Sequence, residues 1–357
     1  MPNEMNFFDE SKSYFDEALQ SIRLAKTEIL LESYIFDLDS VGLAFLEALE
    51  IARQNGVKVF VSVDRIGSWN TITPLVKWAK IHQISLHVFN SRLVSINKRN
   101  HRKLLVVDKS IVFLGSLNIS AAHLKWRDYG VRSPLTDTEY HLIRRRFFAA
   151  RSQWLALREL LSLKKLATSL KGRKLKTPAS RFLFNDSIAS RLFLARLLIR
   201  SIKKSQKRVW ISSPYFLPRS FMLRSLIRAS KRGVDVRIII PAKSDIWLVK
   251  LATRSLLRKL NRQNIKIYSY QEKIWHAKSL LTDTHLFLGS HNWNHRSFLH
   301  DLEIILSTTH ISIIQELEAS YKKDLLKCQI ISVEDLQKDP PLIKILGHII
   351  YLFRYWL

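Results

Sequence analysis

At 357 residues, with 47% apolar and 25% charged side chains, the chain has enough material for two ordinary folded domains and is not a disordered polypeptide. A single cysteine, Cys328, excludes an intrachain disulfide and fits a reducing compartment. The formal net charge of +28 points to a polyanionic partner, either nucleic acid or the anionic surface of a membrane, and charge alone does not separate them.

The segment Met1–Glu10 has neither a basic nor an apolar signal-like region, so no secretory leader is expected. No apolar run reaches the roughly 18 residues of a spanning helix. Over 9–26 a helical period places Phe15, Ala18, Leu19, Ile22 and Ala25 on one face. A β-branched run at 28–36 reads as a strand. A helix from Val41 to Gln54 follows, then Gly56 at a helix C-cap, then a strand at 57–63. The second half repeats this order with helix 187–205, strand 208–213, helix 219–231, Gly233 and strand 234–240.

The correspondence extends to residues. Ile29–Phe36 answers to Val209–Phe216, Asn55–Val61 to Arg232–Ile238, and His101-Arg-Lys103-Leu-Leu-Val-Val-Asp108 to His276-Ala-Lys278-Ser-Leu-Leu-Thr-Asp283. Three matches in one order, about 175 to 180 residues apart, indicate an internal duplication. Alternating helices and buried strands predict two similar α/β sandwich domains, each a mixed sheet flanked by helices, related by a pseudo-twofold axis. The expected boundaries are 1–170 for the first domain, 171–180 for a basic linker, 181–338 for the second domain and 339–357 for an amphipathic tail. From Arg144 to Arg181 there are twelve Lys or Arg against one acid, Glu159. Such a run is either a solvated helix and linker or a surface seated on anionic phospholipid.

The repeated H-x-K motif carries the chemistry. On an extended strand His101 and Lys103 share a face and Arg102 points away. The returning strand ends in Gly115-Ser116-Leu117-Asn118, so Ser116 and Asn118 are expected beside the pair; Gly289-Ser290-His291-Asn292 does the same for His276 and Lys278. The glycines suit a close approach of backbone to ligand. Acids follow at matching distance, Asp128 ten residues after Asn118 and Glu303 eleven after Asn292. A carboxylate there can hold the far nitrogen of each imidazole and fix its tautomer.

Placed face to face, one neutral histidine attacks phosphorus, and the other, protonated, serves the leaving group and then the incoming alcohol. Lysines and asparagine amides would stabilise the equatorial oxygens. No metal or other cofactor is expected. Asp108 and Asp283 end the motif strands and are expected to be structural anchors near turns. His82, His87, His123, His141 and His310 are taken as ordinary histidines. The group His285, His291, His295 and His300 lacks acidic or cysteine ligands at metal spacing.

These residues resemble the phospholipase D superfamily, whose signature is a duplicated H-x-K-x4-D-x6-G-[GS]-x-N. More narrowly the chain resembles bacterial cardiolipin synthases of the short type without N-terminal transmembrane helices. Supporting segments are Glu32–Gly42, Trp126-Arg-Asp128, Ser213-Pro-Tyr-Phe-Leu-Pro218, Lys243-Ser-Asp245, Leu251–Ser255 and Asn292–Glu303. The resemblance implies a phosphatidyltransferase acting on phosphatidylglycerol through a phosphohistidine, with His101 as nucleophile and His276 as general acid/base. It places the protein as a peripheral enzyme on the cytoplasmic face of the cell membrane. With both half-sites in one chain, a monomer suffices. One residue fewer separates Asp283 from Gly289 than the signature has, so the second hairpin turn should be tighter.

The tail 342–357, short of a bilayer core at about 24 Å as a helix, has a narrow polar stripe of Lys344, His348 and Tyr351, and Trp356 suits an interface. An in-plane membrane anchor is favoured over a helix docked on the second domain. The alternative function is a superfamily phosphodiesterase or nuclease hydrolysing phospholipid or nucleic acid, which +28 also suits. The amphipathic tail and the family segments favour lipid.

Overall fold

The computed structural model describes residues 4–90, 98–151, 181–243, 247–261 and 263–352. The basic linker and Trp356 therefore lie outside the described residues. Two mixed sheets carry the duplication. In the first lobe the strands are β1 (Asn6–Phe8), β2 (Glu28–Ser33), β3 (Lys58–Asp64), β4 (Ser85–Phe89), β5 (Leu104–Val107), β6 (Ile111–Gly115), β7 (Trp126–Arg127) and β8 (Gly130–Pro134). In the second they are β9 (Phe182–Phe184), β10 (Arg208–Ser212), β11 (Asp235–Pro241), β12 (Lys266–Tyr270), β13 (Ile274–Trp275), β14 (Ser279–Leu281), β15 (Leu286–Gly289), β16 (Ile304–Thr308) and β17 (Cys328–Ile330). The sheet orders β1-β8-β6-β5-β2-β3-β4 and β9-β16-β15-β14-β10-β11-β12-β17 superpose element for element, except that β17 extends the second. In each, three parallel strands joined through helices meet an antiparallel motif hairpin.

Sheet alternation sorts side chains into separate cores. Ile29, Leu31, Leu105 and Val107 face an outer core with the helices Ser11–Arg23 and Ser40–Gln54. Leu30, Leu104 and Val106 face the opposite way, into a central core shared with Trp210, Leu281, Leu288 and Leu306 of the second lobe. The helices Asp137–Ala150 and Ile311–Leu325 contribute Ile143, Phe147, Leu317 and Tyr321 to that same core. The two lobes are thus fused through a common interior rather than tethered. Buried ion pairs reinforce the seam, Arg102 to Asp186 at 3.0 Å and Arg127 to Asp324 at 2.9 Å.

The motif aspartates clamp strand starts. Asp108 accepts the backbone N–H groups of Lys26 and Thr27 at the head of β2, and Asp283 accepts those of Gln206 and Arg208 at the head of β10. The first hairpin closes with Val107 opposite Ile111, whereas Thr282 N–H reaches His285 O at 2.9 Å, leaving only two residues in the turn. The second turn is the tighter one, as the missing residue requires.

The tail forms a helix at Pro341–Leu352, which packs against the helix Trp247–Asn261. Ile350 and Tyr351 seat on Leu217 and Val249, so one face is docked on the second lobe. The other face is apolar and exposed, with Leu342, Ile345, Ile349 and Leu352 all outward. Among the described residues no helix is long and apolar enough to cross a membrane.

Candidate active site

Both motifs end up at one place, because the lobes exchange short extended segments. The pair Trp126–Arg127 lies parallel to Ile274–Trp275, and His276 N–H donates to Arg127 O at 2.9 Å. Across the pseudo-twofold axis, His101 N–H donates to Leu302 O at 2.9 Å, and Leu302 N–H to Arg99 O at 2.8 Å. Each motif histidine is therefore pinned to the residue just before the acid of the other lobe.

The consequence is a crossed pairing. His276 Nδ1 meets Asp128 Oδ1 at 2.6 Å, and His101 Nδ1 meets both oxygens of Glu303 at 3.1 Å. Asp128 also accepts the Ser116 hydroxyl at 2.7 Å, and Glu303 accepts those of Ser290 and, at 2.6 Å, Ser297. Spacing alone gives no sign of the exchange. Ser116 and Ser290, expected beside the histidine–lysine pairs, instead buttress the carboxylates. The glycines before them admit backbone and not ligand: a methyl group at Gly115 or Gly289 would collide with the carbonyl of Tyr129 or Ile304. The motif residues 101–103 also lie just before strand β5 and not within it.

The lysines are deeply set. Lys103 Nζ donates to His101 O and Lys278 Nζ to His276 O, both at 2.9 Å, and Lys278 Nζ also stands 2.9 Å from His276 Nε2. Aromatic edges fix the imidazoles, Tyr34 against His101 at 4.9 Å and Trp126 against His276 at 5.2 Å between ring centres. Asn118 accepts Ile35 N–H through Oδ1 and turns Nδ2 to His123 Nε2 at 3.1 Å. Arg102, expected to point away, is buried against Asp186.

Electrostatics follow from this geometry. Burial first, then the charges of Lys103 and Lys278, hold His101 well below the ordinary imidazole range; burial and Lys278 do the same to His276. Burial and the Lys278 ammonium bring Lys103 down to about 7. Burial alone pushes Asp128 up, but His123 and His276 outweigh it and keep the carboxylate ionised. Burial and the neighbouring ammonium charges thus favour the neutral form of both motif histidines. An arriving anion offsets those charges and raises both imidazoles. Sulfate binding at pH 7 should thus take up protons, seen calorimetrically as a heat that varies with the buffer's ionisation enthalpy; a buffer-independent heat would contradict this picture.

His123, read from sequence as an ordinary histidine, belongs to the site. Its Nδ1 lies 2.7 Å from Asp128 Oδ2. The available signal was positional, since His123 follows Asn118 by five residues as Ser297 follows Asn292. Among the described residues, His123, Asp128 and His276 are the one cluster with metal-ligand proximity, and each of their facing atoms is engaged in the hydrogen bonds given above. His285, His291, His295 and His300 form no such cluster among those residues.

Residues 18–129 and 198–325 match the family model described as cardiolipin synthase, PLD-like domain. The chain belongs to the cardiolipin synthase family of phospholipase D-like enzymes. Cardiolipin synthase A of Pseudomonas putida strain W619 is 30% identical over 349 residues, covering 94% of this chain and 71% of that protein. A cardiolipin synthase of Clostridium perfringens strain SM101 is 28% identical, over 94% and 73% of the two chains. In fold the chain is similar to phosphatidylserine synthase of Haemophilus influenzae Rd KW20, with a TM-score of 0.74, 15% identity, and coverage of 100% of this chain and 96% of the other. A polyphosphate kinase from Porphyromonas gingivalis shares the fold over 90% of this chain and 50% of its own, with a TM-score of 0.60 and 16% identity. Membership of this family makes the chain a phospholipase D-type phosphatidyltransferase.

Proposed function

We propose that the enzyme moves a phosphatidyl group from one phosphatidylglycerol to another, forming cardiolipin and glycerol through a phosphohistidine on His101. The observation that carries this reading is the crossed pairing, which sets two differently served imidazoles in one gap. Glu303 takes Nδ1 of His101 and leaves Nε2 as its attacking atom. On the other side, Lys278 stands against His276 Nε2, which suits a nitrogen that gains and gives a proton.

In the first step His101 Nε2 bonds to phosphorus as the bond to the glycerol oxygen breaks, and His276 hands its Nε2 proton to that oxygen. In the second, the incoming alcohol returns a proton to His276 while its oxygen displaces His101. Lys103 and Lys278 stabilise the charge on the equatorial oxygens throughout. Asn292 is assigned to the same cradle, and Asn118 to holding His123.

The test is incubation with phosphatidylglycerol vesicles and identification of the lipids by mass. Cardiolipin with stoichiometric glycerol is expected. Phosphatidic acid alone would mean hydrolysis, and cleavage confined to added DNA would replace the lipid reading with a nuclease.

Access to lipid is assigned to the exposed face of helix Pro341–Leu352, lying in the plane of an anionic cytoplasmic leaflet. Its docked face keeps the helix on the enzyme. Replacing Leu342, Ile345 and Ile349 by Ser should leave folding unaltered, since these side chains are 73%, 59% and 46% exposed. The triple variant should lose most of its co-sedimentation with phosphatidylglycerol vesicles. Undiminished sedimentation would discard the assignment.

A further inference from the structure

The two acids match in two kinds of partner and differ in the third. Asp128 and Glu303 each accept a serine hydroxyl of their own lobe and Nδ1 of the other lobe's motif histidine. Five residues past the asparagine, however, the first lobe supplies an imidazole to its acid and the second a hydroxyl. His123 is 1% exposed and stands edge-on to His276 with 5.1 Å between ring centres. Its tautomer follows from its neighbours. Asn118 accepts through Oδ1 and so presents Nδ2–H to His123 Nε2, which leaves Nδ1–H of His123 to donate to Asp128.

We propose that His123 is a positioning residue that tunes His276, and not His101, for release of its proton to the leaving group. The proposal rests on the two-histidine reading above. An imidazole N–H draws on the charge of Asp128 in competition with His276 Nδ1–H. The His276 imidazolium formed during turnover is then held less tightly, and releases its Nε2 proton to the leaving alkoxide more readily. Glu303 accepts a second hydroxyl where Asp128 accepts an imidazole N–H, and the His291 imidazole lies in its field. The groups facing His276 are Asp128 and His123 from the first lobe, Lys278 from its own motif and the apolar edge of Trp126; the Tyr14 phenol lies in the field of Asp128.

The experiment compares wild type, His123→Ala and His123→Asn on phosphatidylglycerol vesicles, with kcat followed against pH. The alanine variant should lose about ten- to hundredfold in kcat at little change in KM, by analogy with the loss when the outer partner of a metal-bound histidine is removed. Its alkaline limb, set by the His276 imidazolium, should move to higher pH. The asparagine variant, which returns an N–H to Asp128, should recover most of the rate and the limb. An unmoved limb in the alanine variant overturns the proposal whether or not the rate falls, because lost packing alone would leave the limb in place. If the alanine variant does not fold, the asparagine variant decides: near-wild-type kcat and limb support the proposal, and a loss as deep as that of His276→Ala overturns it. Activity retained by His276→Ala itself is a separate result and removes the two-histidine reading instead.

Discussion

His101→Ala and His276→Ala are each expected to reduce phosphatidyl transfer by at least about 10⁴-fold while leaving the fold intact, because groups that act as one unit fail together. The two losses should not add in the double variant. The imidazoles contribute little to either hydrophobic core, so circular dichroism and the unfolding midpoint should stay near wild type. The variants should differ in one respect. After a pulse of lipid and acid-free quenching, His276→Ala should still accumulate some phosphorus label on the protein, and His101→Ala none. Label retained on His101→Ala would reverse the assignment of roles, and substantial turnover by either variant would end the mechanism.

Lys103→Met is expected to abolish activity and raise stability at the same time. Lys103 is 2% exposed, lies in the field of the Lys278 ammonium, and has its pKa brought from 10.5 to about 7. The sign follows from proton binding. Above 10.5 neither folded nor unfolded lysine is charged, and the folded state bears no penalty; as pH falls towards 7 the unfolded chain alone takes up the proton, and the folded state loses ground. A methionine of similar length removes that cost, on the order of 1–4 kcal/mol for apolar replacement of buried charge. Urea unfolding should show the midpoint rising with an unchanged slope, and the advantage should be larger at pH 7 than at pH 10. A destabilised variant at pH 7 would mean that Lys103 is held by more favourable contacts than its hydrogen bond to the His101 carbonyl.

Much of this molecule can be read from residue order because its strongest signals are local. Buried runs such as Ile29-Leu30-Leu31, and the helix-ending Gly56 and Gly233 with φ of 84° and 85°, repeat at fixed offsets and yield two equivalent sheets. The third parallel strands, Ser85–Phe89 and Lys266–Tyr270, escape such reading because they lie at or near sheet edges and carry Ser, His, Tyr and Lys in place of a continuous apolar run. The crossing of the acids escapes it for a different reason. It depends on a two-residue parallel pairing between segments about 150 positions apart, which leaves no periodic trace. His123 was hidden by ambiguity of type, since one histidine among twelve carries little information until its five-residue offset from Asn118 is set beside that of Ser297.

Each carboxylate, finally, is delivered by one half of the chain to the imidazole of the other. Prying the lobes apart by even a bond length would release both rings together and scramble two tautomers in one event. The catalytic unit is therefore indivisible: a mixture of chains lacking His101 with chains lacking His276 should stay inert, since no complementation between intact but wounded copies can rebuild a gap that must close within a single polypeptide.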